Sequence, residues 1–549
     1  MNDPAVRRVL ASAILVVLVG LAWANGLHGE FTYDDKVEVI GNRTIRFFDE
    51  WRSVLTYNLS RPLLILTYSA NWELAGPEPF SWHLVDVLIQ GLNAVLALLV
   101  GERIGRCLGL TQPLRFGLIA AGLWAVHPLS TEAVSYVTGR SEQLVGTFYL
   151  LACERWLAWL EDEDRNALAQ AWGVFVLAAF TKEVAVTLPV AFVLLELVLV
   201  REGRVRALRW RGHLPALVLL AAFFALRWWL YGALTSPIAP LRAWDVQLWT
   251  QAEVLWRYVG LSVLPVGQTI FHDYPETGLT LRSGMALAGL LGLTVFALSR
   301  LRRAPILALA WLWFLLVLLP STAIPLKETL AEHRAYLSLL GLCWAAAAAL
   351  ERLGRLHASV QTGVLLVACV LGTHNRNRAW ATEVAIWGEA AVRSPDSAEA
   401  WYGLGDAHRL AGNAKASIAS YRQALALDEG VLDAWTNLGI VLVQTGQSVE
   451  AEKAWKEALR RSPTYCKAHN NLALLYARQD RLDLAVREFR TSLQYCPEDL
   501  TAFYFLGRLY EEKLGELDKA VEQYQAILTI DEASSYAEDA RQRILNLTW

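Results

Sequence analysis

Apolar residues in this chain come in blocks, and nearly all blocks lie before residue 374. Eleven runs stand out: Val9–Trp23, Trp82–Val100, Leu114–Val126, Gln143–Leu160, Leu168–Phe180, Val184–Val200, Leu214–Tyr231, Gly284–Ser299, Ile306–Leu319, Ala335–Leu350 and Val360–Gly372. In lipid a backbone must satisfy its own hydrogen bonds, so such runs predict membrane helices. Several are short. At 1.5 Å per residue, the 13 residues of Leu114–Val126 cover about 20 Å of a hydrocarbon core about 30 Å thick. Helices of that length are expected to leave a recess at headgroup depth.

Arginines set the expected orientation. Arg7 and Arg8 precede the first run and place the N-terminus inside. Ala22-Trp23-Ala24 resembles a peptidase site, but the run is read as an uncleaved anchor because many spans follow. Val254–Val266 is ambiguous. If it lies flat or re-enters on the outer side, Arg300, Arg302, Arg303, Arg352 and Arg355 fall inside with the basic loop of Arg201, Arg204, Arg206, Arg209 and Arg211. The expectation is therefore eleven spans, with the C-terminus outside. A surface-lying aromatic run from Arg61-Pro62 to Trp72 belongs to the outer segment 26–81.

With this topology the chemically useful residues collect on the outer face. They are Asp34 and Asp35; His127, Glu132 and Arg140; Lys182 and Glu183; His272 and Asp273; and Glu332, His333 and Arg334. Charges beside apolar spans are costly unless they face protein or water. Adjacent carboxylates share a field, so one serves as a base while the other orients it or a cation. A base, several cations and a recess at headgroup depth suit reaction of a lipid-phosphate-linked donor with a polar acceptor. Net charge is −3, which argues against a nucleic-acid partner. The six cysteines lack CxxC or Cys/His spacing, which argues against zinc. Nine Lys against 41 Arg fits a GC-rich, bacterial coding bias.

The pattern changes after Trp380. Trp401, Trp435, His469 and Phe503 are 34 residues apart, as are Leu404-Gly405, Leu438-Gly439, Leu472-Ala473 and Leu506-Gly507. Tyr421, Trp455 and Phe489 keep the same period, with Tyr524 one residue late. Period 34 with this pattern is the tetratricopeptide repeat, a helical hairpin that stacks into a solenoid. Four repeats are expected from about Ala398, preceded by a capping helix near Thr382–Arg393. Asn437 and Asn471 hold equivalent places on first helices and are candidates to hold an extended acceptor peptide. Cys466 opens one helix of the third hairpin and Cys496 ends the other, so both fall at one hairpin end. If the solenoid lies in an oxidising compartment, a disulfide is expected there.

Several stretches carry a family resemblance. Ala125-Val-His-Pro-Leu-Ser-Thr-Glu-Ala-Val-Ser-Tyr-Val-Thr-Gly-Arg140, Tyr33-Asp34-Asp35, Thr181-Lys182-Glu183 and Glu332-His333-Arg334-Ala-Tyr336, together with the repeats, resemble the transmembrane and tetratricopeptide-repeat-containing proteins. Here His333 separates Glu332 from Arg334, where the family pattern has Glu-Arg adjacent. The resemblance implies a membrane domain like the C-type glycosyltransferases, which use polyprenyl-phosphate sugars, and an activity similar to protein O-mannosyltransferases. It implies Asp34 as base and Asp35 as its partner. His127, Arg140, Lys182 and Arg334 would contact the donor phosphate, with Glu132, Glu183, Asp273, Glu332 and His333 in support. No cofactor is required, although Asp34-Asp35 is a possible seat for a divalent cation.

The expected architecture is all-α. A multi-span bundle covers residues 1–373, a connector and capping helix 374–397, and a solenoid 398–549. The expected partners are a polyprenyl-phosphate sugar, an exported protein acceptor and membrane lipid, at a bacterial inner membrane with site and repeats periplasmic (lumenal, if the source is eukaryotic). Two alternatives stay open: a glycan polymerase or ligase working between lipid carriers, and a non-enzymatic scaffold for polysaccharide or secretion machinery.

Overall fold

A computed structural model describes residues 3–201, 208–232, 241–353, 355–532 and 534–548. Arg204 and Arg206 of the basic loop lie outside the described residues. Every regular element among the described residues is helical. The chain divides into two compact units, Met1–Glu389 and Ala390–Trp549.

The first unit contains α1 (Pro4–Trp23), α2 (Trp51–Tyr57), α3 (Pro62–Ala75), α4 (Pro79–Cys107), α5 (Pro113–Ala125), α6 (Thr131–Val134), α7 (Arg140–Asp162) and α8 (Arg165–Ala179). Then come α9 (Leu188–Arg201), α10 (Trp210–Tyr231), α11 (Trp244–Val263), α12 (Leu281–Ser299), α13 (Pro305–Ala323), α14 (Tyr336–Glu351), α15 (Arg355–Ala379) and the start of α16 (Glu383–Arg393). Six described helices are long and apolar enough to cross a membrane: α1, α4, α10, α12, α13 and α15. The other five expected spans fall on α7, which carries charges, and on α5, α8, α9 and α14, which have 13, 15, 14 and 16 residues.

Ion pairs sort the helix ends. Arg8 meets Glu102 (2.8 Å), Arg103 meets Glu154 (2.6 Å), Arg106 meets Glu161 (3.2 Å) and Arg209 meets Glu163 (3.0 Å). These bonds gather the start of α1, the ends of α4 and α7, and the approach to α10 at one basic end. The opposite end holds the loops that follow α1, α5, α8 and α13. Helix α11 lies across that second end. Arg242 just before it donates to the Leu326 carbonyl (2.9 Å), Gln251 to that of Thr329 (3.0 Å), Tyr258 to that of Ala331 (2.8 Å), and Gln268 just after it to that of Pro128 (3.0 Å). A straight helix of 20 residues, about 30 Å long, whose two flanks meet the same end of the bundle does not cross it. The turn between α12 and α13, with Arg300, Arg302 and Arg303, then falls at the basic end.

Buried tryptophans fix the helix starts around the second end. The Trp124 indole donates to the Tyr336 carbonyl (2.6 Å) and that of Trp313 to the Leu337 carbonyl (2.9 Å). Both satisfy a polar tip inside an apolar core. The first unit runs past the expected boundary at 373, because Trp380, Glu383 and Trp387 pack on Tyr136, Lys36 and Tyr33.

The second unit is a stack of hairpins: α17 (Ala398–Leu410) with α18 (Ala414–Leu427), α19 (Leu432–Gln444) with α20 (Ser448–Arg461), α21 (Cys466–Arg478) with α22 (Leu482–Tyr495), and α23 (Leu500–Leu509) with α24 (Leu517–Ile530). Helix α25 (Ala537–Thr548) follows. The 34-residue period has a packing cause. A Cβ on Gly405, Gly439 or Gly507 would lie 2.6, 2.3 or 2.7 Å from the ring of Tyr421, Trp455 or Tyr524 of the paired helix. The small residue lets the partner's ring lie against the backbone, which fixes the hairpin spacing.

Candidate active site

The site begins with the loop after α1. Asp35 is fully buried and accepts hydrogen bonds from the Thr32 amide (3.2 Å), the Thr138 amide (2.8 Å) and the Thr138 hydroxyl (2.7 Å). It pins the loop to the 137–139 turn. That turn needs glycine, since a Cβ on Gly139 would lie 2.5 Å from the Glu132 carbonyl oxygen. Tyr33 has a left-handed backbone, φ 52°, which costs a non-glycine residue about 1–2 kcal/mol. The residue after it, Asp34, is thereby turned outward. Its amide donates to the Tyr136 hydroxyl (3.2 Å) and its side chain is exposed. The protein around it still restricts solvation, which raises its pKa against the pull of the Tyr136 hydroxyl and Lys327.

Opposite Asp34 stands a second group. Glu132 Oε1 meets His333 Nδ1 (2.6 Å), and Glu132 Oε2 accepts from the His333 amide (2.9 Å). Burial lowers the His333 pKa to about 3, aided by Lys182. The ring is therefore neutral, and when Glu132 is ionised its proton sits on Nδ1 toward that carboxylate, with the Nε2 lone pair directed away. Burial and the Glu332 charge raise Glu132 to about 7. Nε2 lies 4.0 Å from Glu142 Oε1, which in turn pairs with Lys182 (2.8 Å). Lys182 also donates to the Ser141 hydroxyl (3.2 Å). Arg334 donates to the Glu328 carbonyl (2.9 Å) and meets its carboxylate (3.5 Å). Glu328 has a raised pKa, chiefly from burial. Asp34, Glu132, Lys182, His333 and Arg334 thus share one electrostatic neighbourhood.

Other expected site residues have different tasks. Arg140 does not face a donor phosphate: it is fully buried, paired with Asp86 (2.5 Å) and bonded to Asn71 and the Trp82 carbonyl (both 3.1 Å). Nor does His127 supply positive charge, since burial lowers its pKa to about 4 and its Nδ1 accepts from the Leu129 amide (3.1 Å). Glu332 does not pair with Arg334. It is buried and accepts from the Thr269 amide (2.7 Å), Gln268 (2.7 Å) and His272 (2.9 Å), so it sutures two loops. Glu183 pairs with Arg61 (3.2 Å). Burial opposes its ionisation, but Arg61 and Lys182 bring its pKa down to about 2. Asp273 is exposed. Asp34-Asp35 is a poor seat for a cation, because both Asp35 oxygens already accept protein hydrogen bonds. Among the described residues no group of three or more His, Cys, Asp or Glu is placed to hold a metal.

Sequence reading missed Glu142, Glu328 and Lys327. Glu142 stands two residues after the 125–140 block and opens a long helix, a position that reads as an ordinary acidic first turn.

A tetratricopeptide-repeat family model matches residues 384–431, 436–494 and 470–537. Protein O-mannosyl-transferase TMTC3 of Mus musculus is 23% identical over 94% of this chain and 63% of its own length. Tmtc3 of Drosophila melanogaster is 23% identical over 92% and 66%. The chain is a homologue of the transmembrane and tetratricopeptide-repeat-containing proteins. It spans just under two thirds of the length of these curated relatives. Drosophila melanogaster Tmtc1 is 31% identical over 34% of the chain and 24% of its own length. Two solved repeat proteins are also similar: MamA (22% identity, 28% of this chain, 83% of MamA, TM-score 0.25) and YrrB (24%, 29%, 81%, 0.24).

In this homologue the repeats form a groove of about 940 Å³ lined by Tyr402, Asp433, Asn437, Lys467, Asn471 and Thr501, among others. Asn437 donates to Asp406 (3.1 Å), and Asn471 to the Lys467 carbonyl (2.9 Å). Cys466 and Cys496 are disulfide-bonded along the groove wall, with Cα atoms 6.4 Å apart.

Proposed function

We propose that this homologue transfers a monosaccharide, mannose in the nearest analogy, from a polyprenyl phosphate to a hydroxyl of an exported protein. The observation that carries this reading is the cluster around His333, in which Asp34, Lys182 and Arg334 each lie within electrostatic reach of one imidazole at one end of an apolar helix bundle. Asp34 takes the proton of the acceptor hydroxyl. The hydroxyl oxygen bonds to the anomeric carbon as the bond from that carbon to the phosphate oxygen breaks, and polyprenyl phosphate departs. Lys182 and Arg334 offset the charge developing on the phosphate, and a guanidinium suits two phosphate oxygens at once. Glu142 and Glu328 hold these cations in place until the donor arrives. The chemistry needs no metal in this reading. The site end and the repeats face the periplasm of a bacterial inner membrane, and the groove near Asn437 and Asn471 receives the acceptor chain.

Purified protein given radiolabelled polyprenyl-phosphate mannose and a Ser/Thr-rich exported protein tests the reading. Label on the acceptor protein supports it. Label on a second lipid carrier favours a glycan ligase, and label remaining on the donor favours a scaffold.

A further inference from the structure

The loop that bears Asp34 is held from outside by residues the transfer chemistry does not use. Tyr33 packs edge-on against Trp387 (ring centroids 5.7 Å), and Tyr136, which receives the Asp34 amide, stacks on Trp380 (5.5 Å). Trp380 is 2% exposed and Trp387 6%. Lys36 forms an ion pair with Glu383, and the Glu30 amide donates to the Ala381 carbonyl (3.1 Å). Glu383 and Trp387 are four residues apart on α16, hence on one helical face. That face meets the loop on both sides of Asp34, at Tyr33 and at Lys36. It also covers the left-handed turn at Tyr33 (φ 52°), a conformation that persists only where surrounding contacts hold it. The tetratricopeptide match begins at residue 384, so Trp387 lies in the first matched helix.

We infer that Trp380, Glu383 and Trp387 are positioning residues for Asp34: the 380–387 segment is a strap that keeps the base-bearing loop in its active shape. The inference rests on the proposed role of Asp34. Without the strap, Tyr33 relaxes to an extended or right-handed backbone and Asp34 swings away from the His333 and Lys182 group, while the donor-binding cations stay in place.

Full-length protein in lipid nanodiscs provides the test, read by hydrogen exchange of the 32–38 amides together with label transfer. In Trp387→Ala the 32–38 amides should exchange about tenfold faster or more. Turnover should drop about tenfold with the donor KM held within about twofold, and Trp387→Phe should recover most of both. Glu383→Lys and Lys36→Glu should each loosen the loop, and the two together should restore it. Restoration by the double reversal decides the matter even if Trp387→Ala fails to fold. Unchanged exchange in Trp387→Ala, or a double reversal no better than either single change, overturns the strap. A wild-type protein without transfer would sink the functional reading alone, since exchange reports on the strap regardless.

Discussion

Glu132 grips His333 at two points, through the ring nitrogen Nδ1 (2.6 Å) and the backbone amide (2.9 Å). A carboxylate that accepts at both oxygens fixes the tautomer and the plane of the imidazole, which leaves Nε2 facing Glu142 and Lys182. Glu132→Gln keeps the shape but presents a donor where one acceptor stood. Turnover should fall by roughly 10–100-fold, as for other residues that orient a functional histidine. Steady-state label transfer with the purified variant would show it. Wild-type turnover would mean that His333 orientation is irrelevant.

Asp35 should behave unlike its neighbour. Its three accepted bonds cannot all be made by Asn, whose amide would confront the Thr32 amide. Asp35→Asn should cost about 1–3 kcal/mol of stability, seen as a lower melting temperature in detergent. Burial raises the pKa of both Asp35 and Glu132 to about 7, above the ordinary carboxylate values of their unfolded forms. Folding therefore binds their protons more tightly. The stability tied to these protons is fully present below about pH 4 and is lost as pH rises through about 7. Between pH 5.5 and 8 the melting temperature should fall in the wild type and fall less in Glu132→Gln. A flat profile over this range would show that both groups stay ionised.

The chain's organisation was largely legible in its residues. The 34-residue period follows from a glycine facing an aromatic ring in three of the four hairpins. The converging loops follow from charges that apolar helices cannot hide. What could not be read was partner choice. Arg140 looked like a phosphate ligand because its partner Asp86 lies inside the run Trp82–Val100, 54 residues away. Glu332 was expected to support the nearby cations, whereas a short helical turn sends it into the suture with Gln268 and His272 and sends Arg334 to Glu328. Local spacing reports which loop a residue sits on. The tertiary register of the helices decides which way it points.

Arg334 is expected to act on the donor. Arg334→Lys keeps the charge but loses the fork that matches two phosphate oxygens, so the donor KM should rise by about tenfold with a smaller change in turnover. Donor titration measures this. A lysine variant with wild-type KM would leave only a field effect at this position.

Cys466 and Cys496 test the compartment. Their bond closes a loop of 30 residues, and loss of such a closure costs on the order of 3–4 kcal/mol. Protein isolated with thiols trapped on lysis should show no reactive Cys466 or Cys496 until reductant is added, and Cys466→Ser should lower the melting temperature of the repeats. Fully reduced cysteines in freshly trapped cells would place the repeats on the reducing side of the membrane.

The most direct measurement of the central claim compares wild type with Asp34→Asn, prepared side by side, for transfer of label from polyprenyl-phosphate mannose to an acceptor protein. Asn preserves the size of the side chain and removes the basic oxygen. Asp34 is exposed, and its amide bond to Tyr136 does not depend on the carboxylate. The predicted result is a loss of about 100-fold or more in transfer, with unchanged melting temperature and unchanged donor affinity. Transfer by Asp34→Asn at the wild-type rate would contradict the account, because it would show that the Asp34 carboxylate is not the base.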